Sequence, residues 1–156
     1  MKIVKYGLEL DQEGLGILVK EESKNFPVFQ YNALNRADKV SDIMRIAFQI
    51  NKKAEEYLYM VAMNTKCKPL GFFEISHGND NNTLASPKNI FQRALLCGAN
   101  SMILAHNHPS GCVQPSKEDI ELAKTIQEGG KLLGITLLDS IIIGDGYFSF
   151  AEEKML

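Results

Sequence analysis

The chain has 156 residues, 45% of them hydrophobic and 23% charged, which is typical of one soluble globular domain and argues against disorder. Its net charge of −2, from 17 scattered basic and 19 acidic residues, argues against a nucleic-acid-binding protein with a basic face. No membrane span or signal peptide is evident, and three cysteines without a CxxC pair favour free thiols, so we expect a cytoplasmic protein.

The elements predicted from hydrophobic periodicity alternate between strands and helices. Alternating or wholly apolar runs predict strands, and apolar residues at spacings of three and four predict helices. In chain order the predicted elements are strands at Lys2–Leu10 and Leu15–Lys20, a helix at Ser41–Glu55 capped by Asp38 or Ser41, strands at Tyr57–Met63 and Pro69–Ser76, a loop at His77–Asn82, a helix capped by Ser86 that ends near Gly98, a strand at Ser101–Ala105, a helix at Ser116–Leu133, and strands at Ile135–Ile143 and Tyr147–Phe150.

This order predicts an α/β fold in which a mixed β-sheet carries helices on its faces. The wholly apolar run Ser101–Ala105 is typical of a strand that is buried on both sides. Residues 1–37 form a leading hairpin segment that we expect to belong to the same domain as residues 38–156.

The segment after the apolar strand carries a metal-binding pattern. His106 and His108 are two residues apart, so both side chains point to the same side of the extended chain. Pro109 and Gly111 then turn the chain, which allows the next helix to bring the Asp119 carboxylate to the same point. Two imidazoles and one carboxylate leave a fourth tetrahedral position for water, as in a catalytic zinc site.

Each part of this pattern also has a purely structural interpretation. Ser116 and Asp119 form an S-x-x-D sequence, which is common where a helix begins. A pair of histidines two residues apart can arise by chance or from local hydrogen bonding. The conjunction favours a metal site, because two of the three histidines directly follow a buried strand, where polar groups cost several kcal/mol of desolvation.

The strings ILAHNHPSG and PSKED resemble the bacterial RadC family, whose domain belongs to the JAB/JAMM (MPN-type) metalloprotease-like superfamily. The superfamily pattern of H-x-H-P, six residues and S-x-x-D falls here on His106, His108, Ser116 and Asp119. The resemblance runs from about residue 38 to residue 153. It implies a JAB/MPN, cytidine-deaminase-like architecture and one Zn²⁺ ion bound by the two histidines and the aspartate.

The resemblance also implies roles for residues outside the metal ligands. The upstream glutamate of the family falls on Glu56, with Glu55 and Glu74 as alternatives, and we expect Glu74 on an exposed strand face. Glu56 would be the general base, and Ser116 would donate to the developing oxyanion. The implied activity is that of a zinc-dependent metallopeptidase that cleaves a peptide or isopeptide bond in a peptide or protein substrate.

The chain departs from the family away from the metal motif. Family members commonly have H-P-R-E where this chain has Ser-Pro-Lys-Asn at residues 86–89, and they often have histidine where Ser140 stands. These departures concern contacts to substrate rather than to metal. His77, in a glycine- and asparagine-rich segment, is expected to be an ordinary surface residue.

Three other classes of function compare less well with the sequence. A nuclease needs basic residues near its metal, yet Lys117 is the only one between residues 100 and 120. A zinc deaminase needs H-x-E and P-C-x-x-C, and neither string occurs. A catalytically silent interaction module, or a DNA-repair-associated protein of the RadC family, is the main alternative, although no metal ligand is missing.

The charge distribution predicts weak binding to duplex DNA. A chain of net charge −2 without a basic stripe lacks the counterion release that drives such binding. We expect fluorescence anisotropy at about 150 mM salt to give a dissociation constant well above micromolar, and a sub-micromolar value would contradict this prediction.

Overall fold

The computed structural model describes residues 1–25, 33–78 and 85–156. Strands of the described residues form a seven-stranded sheet of order β2-β1-β4-β3-β5-β6-β7. The elements are β1 Lys2–Leu10, β2 Gly16–Asn25, α1 Ala37–Ala47, a 3₁₀ helix Ile50–Lys52, β3 Glu56–Met63, β4 Pro69–Gly78, α2 Pro87–Leu96, β5 Ser101–Asn107, α3 Lys117–Leu133, β6 Thr136–Ile143 and β7 Tyr147–Ser149.

The sheet is mixed, as the order of elements predicts. The pairs β1–β4 and β5–β6 are parallel, and the other four neighbouring pairs are antiparallel. The predicted α/β class is therefore confirmed. Among the described residues, no helix combines the length and apolarity needed to cross a bilayer.

Helices cover both faces of the sheet, and the side chains of each strand alternate between two cores. On one face, Val40, Ile43 and Met44 of α1 pack against the odd-numbered apolar residues of β3 and β5. On the other face, α2 and α3 pack against the even-numbered ones, for example Met60 and Leu104. We call these the α1 face and the α2/α3 face.

The leading hairpin forms as predicted, and its second strand is longer than predicted. The Asp11 carboxylate accepts hydrogen bonds from the main-chain nitrogens of Glu13 and Leu15, which closes the turn. β2 continues to Asn25 rather than ending at Lys20. β1 attaches the hairpin to the rest of the sheet through its parallel pairing with β4.

The prediction for the first helix was wrong at both ends. The helix begins at Ala37 and its N-cap is Arg36, without a side-chain capping bond, so neither Asp38 nor Ser41 is the cap. It ends at Ala47, and Gln49 adopts a left-handed conformation (φ 51°) before the short 3₁₀ helix. The buried Ile50 of that 3₁₀ helix continues the apolar spacing of α1, which explains why periodicity predicted a longer helix.

The remaining boundaries differ by a few residues. Ser86 occupies the N-cap of α2 as predicted, but its side chain makes no capping hydrogen bond. β4 continues through His77 to Gly78, so the first two residues of the loop predicted at His77–Asn82 belong to a strand, and residues 79–82 lie outside the described residues. β5 extends two residues further than predicted, to Asn107.

Candidate metal centre

The two histidines lie at the end of the fully buried strand β5. His106 is the sixth residue of this strand and is 8% exposed. Because Met102 and Leu104 face α2 and α3, alternation places the His106 imidazole on that face as well. The main-chain nitrogen of His108 donates to Ile143 O (3.0 Å), which keeps the chain extended beside β6 and directs the second imidazole to the same side.

The hydrogen bonds of His108 fix its ring nitrogens in the form that binds metals. Nδ1 lies 2.8 Å from the carbonyl oxygen of Cys112, and a carbonyl can only accept, so Nδ1 carries the hydrogen. In the neutral imidazole, Nε2 then carries the lone pair that can bind a metal, whereas in the protonated ring Nε2 donates to Asp119. This Nε2 lies 3.1 Å from Nε2 of His106. This use of a main-chain carbonyl to orient a histidine is common in metal sites.

The start of α3 brings Asp119 to the same point. Ser116 is the N-cap, and its hydroxyl accepts from Asp119 N (3.1 Å) and donates to Asp119 Oδ2 (2.7 Å). Ser116 N also donates to Oδ2 (2.8 Å), which completes a capping box. The structural interpretation of S-x-x-D is therefore correct, and it holds together with the metal interpretation, because Oδ1 of the same carboxylate lies 3.0 Å from His106 Nε2.

The three side chains form a group that could hold a metal ion, with two imidazole nitrogens and one carboxylate as donors. Their ligand atoms all lie within 4.8 Å of one another. The separations are 3.1 Å between the two Nε2 atoms, and 3.0 and 3.4 Å from these to the carboxylate oxygens. Ligands about 2.05 Å from a tetrahedral ion are about 3.3 Å apart, which is close to these separations, with the two carboxylate contacts made by different oxygens, Oδ1 and Oδ2.

Electrostatics within the cluster favours a charged carboxylate. Burial alone would raise the pKa of Asp119, but hydrogen bonds from His106 and His108 outweigh it and hold the pKa far below its ordinary value. The hydrogen bond to Asp119 raises the pKa of His108, and the charge of Glu56 adds to this shift. The carboxylate is thus available to a cation throughout the neutral range.

The loop that follows His108 is held in place from the other end of the fold. Gly111 adopts a left-handed conformation (φ 81°), as its place in the predicted turn requires, and its carbonyl accepts from Asp145 N (2.9 Å) in the β6–β7 turn. Arg45 of α1 donates to the carbonyls of Gly144 (2.9 Å) and Gly146 (2.7 Å) of that turn. Arg45 had no signal in the sequence, because its partners are 99 and 101 residues away.

Glu56 is the first residue of β3, the strand beside β5. Leu58 and Met60 of this strand face α2 and α3, so alternation places Glu56 on the face that carries the imidazoles. Leu58 pairs with His106, which puts Glu56 at the level of His108. Glu56 lies outside the ligand cluster, yet its charge acts on His108.

Asn107 ties this end of β3 to β5 and was not singled out from the sequence. Its Oδ1 accepts from Tyr57 N (2.8 Å), and its Nδ2 donates to Glu55 O (3.0 Å). The Asn107 side chain therefore binds the main-chain groups on both sides of Glu56. Asn107 itself is 1% exposed.

Glu74 lies on the α1 face, because it pairs with Tyr59, which packs against α1. Its side chain is 24% exposed and contacts Lys5 Nζ, Tyr59 Oη and His77 Nδ1, each at 3.0 Å. The prediction of an exposed strand face was therefore wrong. The sheet separates Glu74 from the imidazoles.

The other two positions singled out in the sequence lie away from the ligand cluster. His77 is exposed, as predicted, but it belongs to β4 rather than to a loop, and its ring stacks on Tyr57 at 5.0 Å. Ser140 is buried in β6 at the level of Leu104, so it lies on the imidazole face, two residues before the level of His106.

Residues 34–155 match the RadC-like JAB domain family. The chain belongs to this family.

Its curated relatives carry the name UPF0758 protein, which states no activity. The relative from Clostridium tetani is 38% identical over 138 residues, which cover 86% of this chain and 59% of the relative. The relative from Rubrobacter xylanophilus is 43% identical over 101 residues, or 65% of this chain and 44% of the relative. The chain thus spans about half the length of the curated relatives it matches.

We expect Glu74→Gln to destabilise the fold at pH 7. Burial raises the pKa of Glu74, but the hydrogen bond and charge of Lys5 outweigh it, so the pKa is lowered in the folded state. A lowered pKa contributes stability above the unfolded-state value, and this contribution is lost as the pH falls through the folded-state value. The substitution should therefore cost about 1–2 kcal/mol at pH 7 and less below about pH 4.

Urea unfolding at pH 7 and pH 3 measures this difference, with Glu9→Gln at an exposed strand position as the control. An equal cost of Glu74→Gln at both pH values would contradict the prediction.

Proposed function

We propose that the protein is a zinc-dependent metallohydrolase that cleaves a peptide or isopeptide bond. The observation that supports this most directly is the His106–His108–Asp119 cluster, whose separations of 3.0–3.4 Å suit a tetrahedral ion. Three protein ligands leave one position open, as in catalytic rather than structural zinc sites. Membership of the RadC-like JAB domain family is consistent with this chemistry.

The proposed reaction uses residues on both sides of the cluster. Zinc, when bound, supplies a water molecule whose pKa falls from 15.7 to about 7. The carboxylate of Glu56 accepts the proton of the attacking water and passes it to the leaving amine nitrogen as the C–N bond breaks. Ser116 Oγ donates to the developing oxyanion, which requires its proton to leave Asp119 Oδ2, where the hydrogen bond now lies.

An amide substrate fits the charges around the cluster better than a phosphodiester. Asp119 and Glu56 are acidic, and Lys117 is the only basic residue between residues 100 and 120. In this segment a nucleic-acid substrate would meet carboxylates with only one lysine for its phosphates. We therefore propose a peptide or protein substrate. A cytoplasmic location suits the free thiols of Cys67, Cys97 and Cys112.

The first test is metal content. We expect the purified protein to bind about one zinc ion per chain, measured by inductively coupled plasma mass spectrometry, because three ligands leave no redundancy. The double variant His106→Ala, His108→Ala should lose stoichiometric zinc, whereas His77→Ala, which removes the third histidine, should keep it. Full zinc retention in the double variant would refute the site.

The second test separates the base from a ligand. Glu56→Gln should keep zinc and fold, because the three ligands remain, while the hydrolytic rate on a peptide library falls by roughly 10² to 10⁴. The loss should appear in kcat rather than KM, since proton transfer occurs only in the transition state. Asp119→Asn should lose both zinc and activity, because a neutral amide is a poorer ligand.

Glu74→Gln is the matched control, since Glu74 lies on the opposite face of the sheet. A loss of activity in Glu74→Gln but not in Glu56→Gln would contradict the proposed base. Zinc binding without chelator-sensitive hydrolysis in the parent protein would favour the alternative of a catalytically silent interaction module.

A further inference from the structure

The side chain of Asn107 replaces a main-chain hydrogen bond between β3 and β5. The last paired residues of these strands are Leu58 and His106. One position further, where a main-chain bond would be expected, Tyr57 N donates to the side-chain Oδ1 of Asn107 (2.8 Å). The same side chain donates from Nδ2 to Glu55 O (3.0 Å).

These two bonds fix the main chain on both sides of Glu56. The carbonyl of Glu55 and the N–H of Tyr57 flank the Cα of Glu56, so holding both restricts the direction of its Cα–Cβ bond. The side-chain amide of Asn107 supplies the acceptor for one of these groups and the donor for the other. The bonds are shielded from water, because Asn107 is 1% exposed.

The direction that these bonds fix is toward the imidazoles. Alternation along β3 places Glu56 on the face that carries His106 and His108, and the pairing of Leu58 with His106 puts Glu56 at the level of His108. Glu56 is not one of the three candidate ligands, which leaves its carboxylate the role of a base in the proposed reaction.

We propose that Asn107 is the positioning residue for Glu56: its two hydrogen bonds hold the main chain on both sides of Glu56 and so direct this carboxylate to the face of His106 and His108. This inference rests on the proposed function, in which Glu56 is the general base. It assigns a role to the residue between the two candidate histidine ligands, whose side chain bonds to the main chain of β3.

A double-mutant cycle in the zinc-loaded protein tests this role. We expect Asn107→Ala to lower kcat by about 10- to 100-fold, with KM and zinc stoichiometry unchanged. In the Glu56→Gln background the same substitution should change kcat less than about twofold, because there is no longer a base to misplace. If the fold-loss of kcat in the double variant instead equals the product of the two single losses, the proposal is overturned.

A matched control separates positioning from stability. The control is Ile103→Val. Ile103 lies on β5, and its side chain is on the α1 face, away from the imidazoles. The substitution should lower the urea midpoint of unfolding, as Asn107→Ala is also expected to do, and leave kcat unchanged. An equal loss of kcat in the control would overturn the proposal. If Asn107→Ala fails to fold, Asn107→Asp, which keeps the acceptor and the shape but loses the donor to Glu55 O, takes its place.

Crystal structures of the parent protein and of the Asn107 variant test the positioning role without any measurement of activity. If the parent protein hydrolyses no peptide, the proposed function fails, and crystal structures still decide the role of Asn107. A shift of the Glu56 carboxylate by about 1 Å or more in the Asn107 variant, with both histidines and Asp119 in place, supports positioning. An unmoved Glu56 overturns it.

Discussion

The strand β5 is buried along its whole length, and this constraint governs everything placed at its end. Polar groups on such a strand cannot turn to water, so they must satisfy one another. His106 does so through Asp119, and Asn107 does so through the main chain of β3. The candidate metal cluster and the hydrogen bonds to the main chain around Glu56 thus come from two consecutive residues at the end of one strand.

Much of this arrangement is readable in the sequence because it is local. Three local features are found where they were predicted: the two imidazoles of His106 and His108 on the same side of the chain, the turn at Gly111 and the cap at Ser116. Each depends on fewer than about five consecutive residues. The C-terminal end of α1 was not predictable, since Ile50 continues its apolar spacing through a break in the helix.

The features that could not be predicted from the sequence depend on contacts between distant segments. Asn107 reaches residues 50 and 52 positions away, and Arg45 reaches carbonyls about a hundred positions away. The choice between Glu56 and Glu74 also stayed open, because it depends on how β3 and β4 pair. A register shift between Leu58 and Tyr59 puts Glu74 opposite Tyr59, on the α1 face, whereas Glu56 keeps the face of Leu58.

The capping box of α3 has a kinetic consequence for any ion held at its start. Asp119 is both a residue of the first helical turn and a candidate ligand, so unwinding that turn withdraws one of three ligands. Helix ends fray more readily than helix interiors, and such openings need no global unfolding. The residence time of a bound ion would therefore follow the opening rate of a single helical turn. The hydrogen bonds between Ser116 and Asp119 slow this opening, because they must break before the turn unwinds.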